Sequence, residues 1–442
     1  MRWTPVVLIS VLLVCASMAS ISPNAATFEA TNSANHVVED NETTDLAFGW
    51  VTSAGGARDD FISQSTIYAN GTFLVAGSYE GDIQFRDQID GYGAIGGSTD
   101  RDAFLGWVNS NGTWNASIAF GSPSLDSIEA VALLSNGDAI LAGTYCLNSV
   151  GFQCELALDG VNSLTKNDED DDGNVFLARL NGDGTWAWAT QIGNEYDNFV
   201  FDMMVTPTDE IHVGVLYRDT MDFNGEILPA GTQTTMMIGV FDEGGNPLTH
   251  VVLETQDGIE PVGGLCLDGA GQAYVAATFN GEVLAGETLL ISNGQTDLMV
   301  ASYQASEWAW AISGGSVSED RAWDCSGSPT QGLSVVGEFI GNATFGEFAT
   351  NTSNSTDLIL GTVSSSGAWS GIATAGGAGV DRATGVVTNA IGDIVITGTT
   401  SAGLMIGIDQ LDDLDGVDDG THNDIFLASY LQNGSWAWAV SA

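Results

Sequence analysis

Apolar and polar positions along this chain alternate in short runs bounded by Gly-containing turns. No stretch of twelve or more residues carries the 3.6-residue period of an amphipathic helix. Runs such as Asn70-Gly-Thr-Phe-Leu-Val-Ala-Gly77, Gly137-Asp-Ala-Ile-Leu-Ala-Gly143 and Gly392-Asp-Ile-Val-Ile-Thr-Gly398 mix small and β-branched residues. Side chains of this kind fit a pleated sheet, so the pattern predicts strands.

The runs recur as a unit. Gly184-Thr-Trp-Ala-Trp-Ala189, Glu307-Trp-Ala-Trp-Ala311 and Ser435-Trp-Ala-Trp-Ala439 repeat one phrase, with weaker copies at Gly112-Thr-Trp-Asn-Ala116 and Gly367-Ala-Trp-Ser-Gly371. Aligned on Phe48, Trp114, Trp186, Leu248, Trp308, Trp369 and Trp436, the spacings are 66, 72, 62, 60, 61 and 67 residues. That period exceeds a solenoid coil and suits a four-stranded propeller blade. Each unit runs from an acid through a first strand, a tight turn, a second strand, a long connection and a third strand such as Asp102-Ala-Phe-Leu or Asp424-Ile-Phe-Leu. The Trp strand is the fourth. The expectation is all-β: a β-propeller of six blades of four antiparallel strands, seven being the alternative. A spare fourth-strand copy, Phe48 to Ala54, precedes the six complete units and would close the ring against the last blade.

The order Gly-Gly…Asp…strand, Gly-x-hydrophobic strand, long connection, Asp-x-Phe-Leu, Gly-x-Trp resembles the SBBP-type β-propeller repeat of secreted bacterial and archaeal proteins. The resemblance covers roughly residues 48–442. That family's motif carries a Lys after the Asp-x-Phe strand, where this chain has Gly106, Arg179 or Ser302. The resemblance therefore implies a propeller with extracellular binding roles, and it transfers no catalytic residue.

The segments outside the repeat agree with export. Arg2, the apolar stretch Val6 to Val14 and Ser17-Met18-Ala19 read as a signal peptide over residues 1–19. Residues 20–47 read as a disordered linker and residues 48–442 as the propeller. Triplets at Asn41, Asn70, Asn111, Asn115, Asn342, Asn351, Asn354 and Asn433 are glycosylation acceptors in a host that glycosylates, and turn chemistry also produces such triplets.

Composition narrows the partners. Nine Lys+Arg against 57 Asp+Glu give a formal net charge of −48, while 44% of residues are hydrophobic. Such a chain is apolar enough for a large core and too anionic for nucleic acid or an anionic lipid surface. No later apolar run is long enough to span a bilayer. The expected partners are glycans or extracellular proteins, reached by a secreted or surface-held monomer.

Candidate chemistry gathers on the face of the long connections, where a rigid scaffold presents adaptable segments. In one connection Asp168, Asp170, Asp172 and Asn174 follow the D-x-D-x-D-G opening of a calcium loop, but Arg179 replaces the closing Glu of an EF-hand. This is either a short Ca2+ site or a solvated acidic loop. Asp413, Asp415 and Asp418 offer a weaker version, with Leu411 in the first ligand position. Asp60, Asp126, Asp197, Asp257, Asp320 and Asp381 recur after the inter-blade link. They would form a ring that either locks turns by accepting backbone N–H bonds or meets a cation or sugar. The Trp-x-Trp pairs read as packing between sheets, with a sugar platform as the other use.

Cys146 and Cys154 are eight apart in one connection, while Cys266 and Cys325 occupy matching first-strand positions in adjacent units. Each pair is a candidate disulfide in an exported protein. The four histidines, His36, His212, His250 and His422, are scattered, and no nucleophile elbow, zinc motif or P-loop occurs. The sequence thus points to a calcium-stabilised binding, adhesion or scaffold module. An extracellular hydrolase or lyase using channel-mouth carboxylates is the alternative.

Overall fold

A computed structural model describes residues 52–441, apart from 57, 82, 86–100, 150–153, 160–161, 167–172, 194–197, 230–233, 256, 331, 402, 408 and 412–423. The signal peptide, the linker and Phe48–Val51 of the spare strand lie outside the described residues. The described chain is all β, with no helix. Six four-stranded antiparallel meanders follow one another in a propeller-like arrangement.

Unit 1 comprises Asp60–Ile67, Phe73–Glu80, Arg101–Val108 and Trp114–Phe120. Unit 2 comprises Leu125–Leu133, Ala139–Leu147, Asn174–Leu180 and Trp186–Ile192. Unit 3 comprises Asn198–Val205, Ile211–Tyr217, Thr235–Phe241 and Pro247–Thr255. Unit 4 comprises Ile259–Leu267, Ala273–Phe279, Asp297–Gln304 and Glu307–Gly315. Unit 5 comprises Arg321–Gly327, Leu333–Phe345, Phe348–Val363 and Trp369–Ala375. Unit 6 comprises Asp381–Thr388, Ile394–Thr400, Asp424–Tyr430 and Trp436–Ser441.

The facing surfaces of neighbouring sheets are apolar because each is buried against the next. Five clusters of buried side chains lie between successive units, for example Val336, Leu358 and Leu360 of unit 5 against Ile396 and Phe426 of unit 6. Second strands such as Ile211–Tyr217 and Ala273–Phe279 are buried along their whole length, as a strand covered on both faces must be. Every first strand shifts register against its second strand, once in five units, as at Ile62/Gln64 and Ala322/Asp324, and twice in unit 2. Such bulges bend a strand and re-aim the side chain that follows.

The long connections between second and third strands prove to be largely β-hairpins. The hairpins of units 2, 4, 5 and 6 reach back to the end of the preceding unit's fourth strand: Gly121 bridges Ala157, Glu254 pairs with Leu284, Gly314 with Phe345, and Gly376 bridges Met405. These connections therefore share one face with the inter-unit links, and much of their length is committed to the neighbouring sheet. Trp residues complete each seam. The first indole of the repeat reaches back, with Trp369 Nε1 donating to the Ser313 carbonyl at 3.2 Å and Trp308 Nε1 to the Val252 carbonyl at 2.8 Å. The second reaches forward, with Trp310 Nε1 donating to the Ser365 carbonyl at 2.9 Å and Trp188 Nε1 to the Glu243 carbonyl at 3.2 Å. Units 4 and 5 are tied further by the Cys266–Cys325 disulfide, and Cys146–Cys154 closes the base of the unit 2 connection.

One alignment needs correction. Pro247, not Leu248, takes the Trp slot of unit 3: it pairs with Phe241 as Trp369 pairs with Val363, and Leu248 is 54% exposed. The shift leaves Trp186, Pro247, Trp308 and Trp369 spaced evenly by 61 residues.

Replacing Trp369 by Phe should lower stability by about 1 kcal/mol, the worth of one hydrogen bond, whereas Ala should cost about 3 kcal/mol through the void left at the seam. Urea unfolding midpoints of the two variants test this order; equal losses would show that the indole N–H contributes nothing.

Candidate functional site

The recurring acids sit at the seams between units. Asp60, Asp126, Asp320 and Asp381 each stand within one residue of the start of a first strand and turn back onto the link that precedes it. Asp60 Oδ2 accepts the Gly56 N–H at 2.6 Å, and Asp381 Oδ2 accepts that of Gly377 at 2.7 Å. Asp126 and Asp320 accept from Ser122 and Ser316 in the same way. Their second oxygens reach the end of the second strand, where Asp126 takes the Cys146 N–H and Asp320 the Ile340 N–H, both at 2.9 Å. The carboxylate thereby occupies donors that a tight turn leaves over.

The six acids do not form a complete ring. In unit 3 the slot opposite Tyr217 belongs to Asn198, and Asp197 lies outside the described residues. In unit 4 the slot opposite Phe279 belongs to Ile259, while Asp257 is exposed two residues earlier. Counting from the link glycines put Asp257 in a slot that Ile259 holds, because the links differ in length.

A second acid faces the first, one that the repeat displayed but whose pairing the sequence could not reveal. The leading Asp of the third strand stands against the slot Asp of the next unit: Asp102 with Asp126, Asp297 with Asp320, and Asp357 with Asp381. Asp297 Oδ1 and Asp320 Oδ2 lie 2.7 and 2.8 Å from where a β-carbon on Gly315 would stand, so only glycine fits between them. Burial, with the neighbouring charge adding to it, pushes Asp126 up to about 7 and Asp297 and Asp357 up to about 6. Both positions change together at the next seam, where Asn174 leads the third strand of unit 2 and Asn198 fills the slot of unit 3.

Polar groups also converge on the axis. Just after the bulge, the first strands carry Gln64, Ala130, Asp202, Gly264, Asp324 and Gly385, large and polar in odd units, small in even ones. Gln64 Oε1 accepts the Val131 N–H at 2.6 Å, Asp202 Oδ2 that of Leu265 at 2.7 Å, and Asp324 Oδ2 that of Val386 at 2.9 Å. Gln64 Nε2 also donates to Asp202 Oδ1 at 3.2 Å, spanning from unit 1 to unit 3. Burial pushes Asp202 up to about 6 and Asp324 up to about 7, with the Asp202 charge contributing to the latter. At the mouth above them, Arg321 pairs with Glu260 (2.8 Å), Glu319 (3.1 Å) and Glu338 (3.3 Å), and Arg382 shares Glu338.

Of the metal candidates, Asn174 alone lies among the described residues. Asp168, Asp170, Asp172, Asp413, Asp415 and Asp418 lie outside the described residues. Asn174 is buried at the seam, with its Oδ1 unpartnered. Among the described residues no three His, Cys, Asp or Glu side chains come together as a metal site. His212 is buried with Nδ1 2.9 Å from the Tyr303 hydroxyl, and burial lowers it to about 4, so it is neutral. No protein-family model matches the chain, and no curated protein matches it.

The seam acids make stability depend on pH. An acid raised in the folded state keeps its proton where the unfolded chain has lost it, so folding is favoured at low pH. That advantage is lost as pH climbs through the folded values of about 6 to 7. The melting midpoint should therefore fall between pH 4.5 and 7.5. Asp297→Asn should raise the midpoint at pH 7.5 and leave it unchanged at pH 4.5; scanning calorimetry at both values decides, and equal shifts at the two would refute the pairing.

Proposed function

We propose that this chain is an exported, calcium-stabilised β-propeller module that binds glycan or extracellular-protein ligands on the face of its hairpins and links. The observation that carries the reading is the distribution of exposed apolar side chains. Among the described residues, Ile227, Leu289, Ile291, Val317, Val380 and Met405 lie on that face, against Ile67, Leu248 and Ile391 elsewhere. Apolar groups left in water on one face of an otherwise acidic surface suit a partner that covers them. The two disulfides suit an oxidising compartment, and no helix among the described residues is long and apolar enough to cross a membrane. In this reading the six sheets are blades of a propeller of the SBBP repeat type, and Asp168, Asp170 and Asp172 hold Ca2+.

A second reading, an extracellular hydrolase or lyase, draws support from Asp202 and Asp324, two axial carboxyls that burial raises. Their oxygens are engaged by backbone N–H groups of adjacent units, which suits a structural role better.

Glycan and extracellular-protein arrays probed with the full chain separate the two. Saturable binding without product, abolished by Ile291→Asp with Val317→Asp, is expected; binding unaffected by these exposed substitutions would move the site off this face. Product formation that Asp324→Asn abolishes would establish the enzyme instead. Calcium should raise the melting midpoint of the native chain and not that of the Asp168→Asn, Asp170→Asn, Asp172→Asn variant, and an unchanged native midpoint removes the metal from the proposal.

A further inference from the structure

The six sheets leave a place for one more. The first strands of units 1 to 6 pack against one another in succession, yet no comparable packing joins Asp381–Thr388 of unit 6 to Asp60–Ile67 of unit 1. The facing surfaces differ in the same sense. Leu358 and Leu360 of unit 5 are 0% and 1% exposed beneath unit 6, whereas their counterparts Ile425 and Leu427 in unit 6 are half-exposed.

The segment just before unit 1 supplies part of what belongs there. Ser53 accepts the Trp114 indole N–H at 3.1 Å, as Ser313 accepts that of Trp369. Ala54 pairs with Phe85 of the connection between the second and third strands of unit 1, as Gly314 pairs with Phe345 of the unit 5 hairpin. By both criteria this segment is the fourth strand of a sheet standing before unit 1. Unit 6 already has its own fourth strand, Trp436–Ser441, so the sheet is a seventh one.

Among the described residues, no third strand of that sheet stands before unit 1. At three other seams the slot Asp faces the leading Asp of the preceding third strand, whereas the charges that act most on Asp60 are Asp59 and Glu80 of its own unit, and its Oδ1 is buried without a partner. We infer that the cleft between units 6 and 1 accepts a three-stranded antiparallel segment of this same repeat. Residues 52–55 act as its fourth strand, and its leading third-strand Asp faces Asp60. The existing seams specify the partner: an apolar first face for Ile425 and Leu427, and, as at three of them, an Asp-led third strand for the link of unit 1.

The test extends the full chain by a second copy of residues 376–431, placed directly after Ala442, where the Gly-Gly link follows the Trp strand in register. The extended protein should remain monomeric, melt several degrees higher than the parent and protect the amides of 424–430 from hydrogen exchange. Leu427→Asp lies on the half-exposed face; it should change the parent little and abolish the gain in the extended chain. An added copy that is digested by protease at the rate of an unfolded peptide, with the melting point unmoved, would overturn the inference. So would a gain that survives Leu427→Asp, because the copy would then be docked elsewhere.

Discussion

Everything in this molecule depends on the seam between neighbouring sheets. A single four-stranded meander exposes two apolar faces and is at best marginally stable alone. Each sheet is buried only because another stands against it, and the chain fixes that contact at three heights. Side chains such as Leu358 and Phe426 interdigitate in the middle. An indole from the fourth strand reaches back to the sheet before, and the hairpin of the next unit clasps the strand's end. At the link, a buried carboxylate gathers the N–H groups of the turn.

That last device explains how a chain this acidic keeps a compact fold. Its formal charge of −48 assumes every carboxyl ionised. Many of the structural acids are instead placed where burial favours the neutral form and backbone N–H groups compensate what charge remains. Part of the nominal charge is thus not expressed near neutrality. The scarce cations are concentrated as well: Arg321 and Arg382 bind three glutamates across units 4 to 6 at the axial mouth, sharing Glu338. Electrostatics here holds the scaffold together and leaves ligand contact to the hairpin face.

The repeat was legible in sequence for a definite reason. Trp, Gly and Asp each answer a geometric demand that recurs once per sheet, so they recur once per period. Strand order, the short turns and both disulfide pairs followed from it. Unit 3 was misread where the demand is met by other residues: Pro247 in the Trp slot, Asn198 in the Asp slot. The pairing of Asp297 with Asp320 was invisible because its members stand in different units, on strands 23 residues apart.

Local periodicity by itself determined that this chain forms strands, in fours, in six complete copies with a spare fourth strand, since alternation and turn chemistry act over a few residues. Only the tertiary structure decided which side chains meet: that the hairpins grip the sheet behind them, that acids pair across seams, that Gln64 reaches Asp202 over the axis. It also decided how far round the sheets reach. The angle between two neighbouring sheets is set by the volume of side chains packed between them, a sum over many contacts that no single repeat records.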